Sequence, residues 1–203
     1  MNDASKTRQT ILEVSHKLFA QKGFNGVSVR EIAKESQVNL AAINYHFSNK
    51  ENLYVETIRS SLAKTNMEIQ NIYESLENSN FEEMVVATFD YLLEHAEDMR
   101  TTFNLLISSS NQFHAAISHE IDGFKGPPGG ECFYRCLVKD MPDASEEDLL
   151  WVGRTMFTQV LHKAMLLCNK SICQSASNMG IGVDSSKLEI LRLIKALQSE
   201  ISR

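Results

Sequence analysis

Two short amphipathic runs, each opening on its own capping residue and separated by about three residues, occupy the stretch from Ser28 to Phe47. Ser28 stands three positions before Glu31, the spacing at which a hydroxyl and a carboxylate satisfy each other's free amides, so a helix is predicted to begin at Val29. It cannot run far past Glu35, because Ser36, Gln37 and Val38 lead into Asn39, a second N-cap, followed by Leu40, Ala41, Ala42, Ile43, Asn44, Tyr45, His46 and Phe47. Ile32, Val38, Ile43 and Phe47 share the inner side, and small Ala33 and Ala42 let the two helices approach closely. The pattern is that of a helix-turn-helix.

The same periodicity extends both ways. Upstream, Ile11, Leu12, Val14, Ser15, Leu18 and Phe19 recur at three and four up to Gly23, predicting a helix with a glycine stop and Phe24 as a buried plug. Downstream, a helix of roughly 27 residues starts near Lys50, with Leu53, Val55, Ile58, Leu62, Ile69, Ile72 and Leu76 on its apolar side. Further helices are predicted over 81–95, 98–108, 111–121, 131–139, 146–175 and 185–201, and Gly123 to Gly130 is the clearest break. No alternation long enough for a sheet is present, and with 3 Pro in 203 residues long helices are permitted. The predicted fold is all-α, with a three-helix unit carrying the helix-turn-helix over residues 1–50 and a larger helical domain over 51–203.

A net charge of -6 argues against nucleic acid until it is divided along the chain. Residues 1–50 hold seven Lys or Arg against four Asp or Glu, whereas the remainder holds 13 against 22. Positive charge is thus confined to the end that carries the motif, as binding to phosphates requires. The DNA major groove, about 12 Å wide, admits one helix, so the second helix of the pair must present polar or small side chains outward. Asn39, Leu40, Ala41, Asn44 and Tyr45, with His46 at the end, are the candidates for that outer side: Asn44 can pair with adenine, and Leu40 or Ala41 can touch a thymine methyl. Ser28, Tyr45, His46 and Lys50 suit phosphates, and Arg30 completes the DNA-binding set. Each also has a structural reading, since Ser28 can be only a cap, and Tyr45 and His46 can pack on the unit itself.

The stretch from Val27 to Tyr54 resembles the N-terminal domain of the TetR family of bacterial regulators. The resemblance rests on Ser28, Ile32, Ala33, Val38, Ala42, Ile43, Phe47, Lys50 and Leu53, extended upstream by Phe19 and Gly23. It implies an all-helical homodimer that binds a palindromic operator in double-stranded DNA through its N-terminal units, and a repressor released by a small apolar or amphipathic effector. Two positions depart from the pattern. Gln37 stands where glycine is usual, so the turn must avoid positive φ or accept strain, and Asn44 stands where an aromatic is usual.

Residues 51–203 carry no comparable signature. Among their Met and aromatic residues, Met84, Phe103, Phe113, Phe133, Met156 and Phe157 are the candidate lining of an effector cavity, the alternative being ordinary core. Cys132, Cys136, Cys168 and Cys173 contain no CxxC pair; they read as packed thiols, with a metal-sensing or thiol-redox regulator, aided by His114 or His119, as the alternative. A helical protein-interaction module is the other competing class. His162 and Lys163 lack a paired nucleophile, so no enzyme, cofactor or metal site is predicted. No run approaches a membrane span and the first ten residues lack the apolar core of a signal peptide, so the expected location is cytoplasmic. A dimer interface is predicted on Leu149, Val152, Met156, Val160 and Leu167 of the long helix, with Gly153 and Ala164 allowing close approach. Leu188, Leu191, Ile194, Leu197 and Ile201 of the terminal helix complete it.

Overall fold

The computed structural model describes residues 3–76, 80–108, 127–168 and 181–201. All regular structure among them is helical: α1 (Asp3–Lys22), α2 (Val29–Glu35), α3 (Leu40–Phe47), α4 (Lys50–Ser75), α5 (Phe81–Glu94), α6 (Ala96–Ser108), α7 (Gly130–Asp140), α8 (Glu146–Cys168) and α9 (Val183–Ile201). The helix predicted over 111–121 lies outside the described residues.

The chain divides into two compact units. The first runs to Lys64 and takes in the segment from Arg100, so it extends beyond the 50 residues that hold the motif; the second comprises Thr65–Met99 and the chain from Gly123. Ile11, Leu12, Phe19, Ile32, Ile43, Phe47, Leu53, Tyr54, Ile58 and Leu105 form the first core. Phe19 and Phe24 set their rings 5.0 and 5.2 Å from that of Tyr54, close to edge-on. Burial pushes the Tyr54 hydroxyl above its ordinary pKa, and as a neutral donor it bonds the Leu105 carbonyl at 2.9 Å. A polar tie joins three helices of this unit: His16 of α1 lies 3.0 Å from Thr102 of α6, which meets Ser61 of α4 at 2.5 Å.

In the second unit α5 and α8 pack on each other and on α7 and α9. Asn80 and Glu83 form a reciprocal capping box at the start of α5, and Asp140 at the end of α7 accepts the Phe81 amide at 2.7 Å, so a single residue closes one helix end and opens another. Ser145 caps α8 through the Asp148 amide. Between these helices lies one continuous core that includes Met84, Phe89, Phe133, Leu137, Val152, Met156, Val160, Ile190 and Ile194.

This core overturns part of the predicted dimer interface. Leu149, Val152, Met156, Val160 and Ala164 are buried within the single chain, as are Ile194 and Leu197, and Leu167 and Ile201 pack against the same cluster. Gly153 faces Leu137 and Phe133 of α7. The stripe is real, but it closes the unit's own core. Among the described residues, the large apolar side chains exposed on α8 and α9 are Trp151, Val183 and Leu188.

Candidate nucleic-acid interface

α1 ends at Gly23, which takes φ +69° and donates its amide to the Phe19 carbonyl at 2.8 Å. Ser28 then caps α2, its hydroxyl oxygen accepting the Glu31 amide at 3.1 Å. The expected capping box is only half formed. The Glu31 carboxylate instead pairs with Lys22 at the end of α1, and this hydrogen bond holds Glu31 below the usual carboxylate pKa. A cation at the C-terminal end of α1 thus meets an acid in the first turn of α2, each favoured there by its helix dipole.

The turn between α2 and α3 resolves the question raised by Gln37. Its φ is +55°, the left-handed region. The Gln37 amide donates to the Lys34 carbonyl at 3.1 Å, and the Val38 amide to the Ala33 carbonyl at 3.0 Å. This pair is the Schellman closure of α2, and it needs the residue at Gln37 to turn left-handed whatever its side chain. Asn39 then caps α3 by accepting the Ala41 amide at 2.9 Å.

α3 buries Ile43 and Phe47 and turns its opposite side to solvent. Asn39, Ala41, Asn44 and Tyr45 are exposed, Tyr45 to 82 %, while Leu40 and His46 are half-buried. Tyr45 does not pack into the core; its ring meets His46 edge-on at 5.1 Å. Arg30 is exposed on α2, and the Lys50 ammonium lies 4.3 Å from the centre of the Phe24 ring, which holds it at the start of α4. Ser28, Arg30, Asn39, Leu40, Ala41, Asn44, Tyr45, His46 and Lys50 therefore all belong to one compact unit, with an apolar inner side and a polar outer side on α3.

The exit of α3 contains residues that the sequence pattern did not single out. Ser48 adopts φ +62° and ψ -49°, and the Asn49 amide donates to the Phe47 carbonyl at 2.7 Å. This is a γ-turn of the positive-φ kind, rare and strained for an L residue, in a class of conformations that costs about 1–3 kcal/mol. Asn49 caps α4 by accepting the Asn52 amide at 2.7 Å, and the Asn52 side chain donates to the Phe47 carbonyl at 3.1 Å. Arg8 of α1 reaches the same region, pairing with Glu56 at 2.6 Å with its guanidinium 5.3 Å from the Phe47 ring centre.

The effector-cavity candidates fall into two groups. Met84, Phe133, Met156 and Phe157 meet in the core of the second unit, whereas Phe103 is half-buried in the first. Phe113, Cys173, His114 and His119 lie outside the described residues, as does the side chain of Cys168. Cys132 and Cys136 are buried, and burial pushes the Cys132 thiol upward, away from the reactive thiolate. Among the described residues no three His, Cys, Asp or Glu side chains gather as a metal site would require. None of the helices among them is long and apolar enough to cross a membrane.

Such a pair of short helices, fixed by α1 on one side and exposed on the other, defines the helix-turn-helix class. The model of the bacterial regulatory proteins of the tetR family matches residues 11–57. A helix-turn-helix transcriptional regulator of Staphylococcus aureus is 30% identical over 125 residues, 60% of this chain and 66% of that protein. The match therefore spans slightly less than two thirds of such relatives. A transcriptional regulator from Aquifex aeolicus shares the fold with a TM-score of 0.62 at 23% identity, over 94% of this chain and 99% of that one. FadR of Bacillus subtilis, solved with stearoyl-CoA, does so with a TM-score of 0.63 at 13% identity, over 92% and 96%. Residues 11–57 thus carry the N-terminal domain of the bacterial regulatory proteins of the tetR family, and the chain shares the fold of solved regulators of that kind.

Proposed function

We propose that the chain is a homodimeric repressor that reads a palindromic operator in double-stranded DNA with α3 and releases it when a small apolar or amphipathic molecule binds the second unit. The observation that carries this reading is the two-sidedness of α3, with Ile43 and Phe47 buried and Asn39, Ala41, Asn44 and Tyr45 exposed. Asn44 and Ala41 suit base edges; Ser28, Arg30, Tyr45, His46 and Lys50 suit phosphates.

Support for the effector is the core around Met84, Phe133, Met156 and Phe157, where flexible methionine side chains can yield to an apolar guest. A fold relative was crystallised with a long acyl chain, stearoyl-CoA. An effector with about 1–3 kcal/mol of coupling lowers operator affinity roughly 5- to 150-fold. The competing thiol-sensor reading is disfavoured by the burial of Cys132 and Cys136.

The test begins with a duplex recovered from a randomised pool by the parent chain. Asn44→Ala is expected to lose about 1–3 kcal/mol on that duplex and little on a scrambled one. Lys50→Ala should weaken both and reduce the salt slope by about one. Equal losses on both duplexes for Asn44→Ala would remove it from the base-reading set, and failure of the parent to enrich any duplex would refute DNA reading.

A further inference from the structure

Gln37 and Ser48 are the two non-glycine residues of positive φ among the described residues, and they stand on either side of α3. They are not equivalent. Gln37 is held by a backbone closure that any residue able to turn left-handed completes, whereas Ser48 sits in a γ-turn whose mirror image, at negative φ, is the form an L residue prefers. The mirror form would still let the Asn49 amide reach the Phe47 carbonyl. What distinguishes the observed form is a second donor on that carbonyl, the side-chain amide of Asn52 at 3.1 Å, with Asn52 itself fixed by its backbone bond to Asn49. Only the nitrogen of that amide can face a carbonyl oxygen. Phe47 and Leu53 are buried in one core cluster, but apolar contact is non-directional and does not select one turn over its mirror.

We propose that Asn52 is a positioning residue for DNA reading: by holding the Phe47 carbonyl it keeps Ser48 in its strained turn, and that turn fixes the direction in which α3 leaves α4. The proposal rests on the reading of α3 as the DNA-reading helix. Such a helix must be held within about 0.5 Å and 10–20° of its productive orientation. Without the side-chain donor, Ser48 relaxes toward negative φ and the competent orientation becomes a minority; if it falls to about a tenth of the population, apparent affinity falls about tenfold.

The experiment uses the full chain, the duplex it selects from a randomised pool, and a scrambled duplex. Asn52→Ala is expected to bind the selected duplex about tenfold more weakly, with little change on the scrambled one and a nearly unchanged melting temperature. Ser48→Gly alone should bind as the parent does. The double variant should recover most of the loss, because glycine takes positive φ without the restraint. A double variant as weak as Asn52→Ala makes Asn52 a direct DNA contact and overturns the proposal, as does an Asn52→Ala chain that binds like the parent. A crystal structure of Asn52→Ala reads the turn without DNA. Negative φ at Ser48 with α3 reoriented is the expected result, and positive φ with α3 in place overturns the proposal. If the parent selects no duplex, the DNA reading fails, while the φ of Ser48 still decides whether Asn52 orients α3.

Discussion

Gln37 and Ser48 both hold the backbone at positive φ, where an L residue is strained. The helix start at Asn39 and the stop before it fix Gln37 as a turn position, so a residue other than glycine there announces its own cost. Gln37→Gly should remove the left-handed penalty of about 1–2 kcal/mol and return about 0.5–1 kcal/mol as extra unfolded-state entropy. The expected result is a rise in the urea midpoint with an unchanged slope. A lower midpoint would mean that the Gln37 side chain contributes a contact that outweighs its backbone strain. Ser48 gave no such signal, because serine is an ordinary residue between helices and its φ is set by a side chain four positions on. Glu31 shows the converse limit. Its spacing from Ser28 predicts a reciprocal cap, but Lys22, nine residues away, claims the carboxylate. Local spacing cannot weigh a partner from another helix.

Among the helices, periodicity revealed which side is buried and left open what buries it. The boundaries of α2, α3, α5 and α7 fall within one or two residues of their predicted ranges because each has a cap or a breaker in sequence. The stripe on α8 was equally clear, but a period of 3.6 is satisfied as well by α5 and α7 of the same chain as by a second copy. The Gly-Pro segment before α7 is a break in the helical pattern, and its described end is also a close approach. Gly129 takes φ +77° and donates its amide to the Asn66 side chain of α4 at 2.8 Å. A Cβ there would come within 2.4 Å of the Ile69 side chain, which is fully buried and, being β-branched, has little rotamer freedom with which to retreat. Gly129→Ala should therefore combine a left-handed penalty of about 1–2 kcal/mol with an overpacking cost of about 1–3 kcal/mol. Denaturant unfolding measures the sum, and Ile69→Ala in the same background should return part of the steric share. A Gly129→Ala chain as stable as the parent would show that this approach is not tight.

For the molecule as a whole, one short α3 covers only a few base pairs, so a symmetric pair reading half-sites about 34 Å apart, or a multiple of that, is the ordinary route to useful specificity. The surface for such a pairing must be sought among residues that the single chain leaves outside. Trp151 of α8 is 45 % exposed and Leu188 of α9 is 50 % exposed, on two helices that pack against each other, and large apolar side chains of this kind gain most from a second copy. This separates two classes of substitution. Val160→Glu puts an unpaired charge into the core of the second unit, where the residue has no exposure, and is expected to unfold it in the monomer. Trp151→Glu and Leu188→Glu leave that core intact and desolvate a charge only when two chains meet. Sedimentation should show a dimeric parent and folded monomers for these two variants, with melting temperatures that no longer rise with protein concentration. Their affinity for a duplex carrying both half-sites should fall, while affinity for a single half-site stays near that of the parent. If both variants still sediment as dimers, the interface lies elsewhere on the chain; if the parent is a monomer at micromolar concentration with and without its selected duplex, the homodimer itself is rejected.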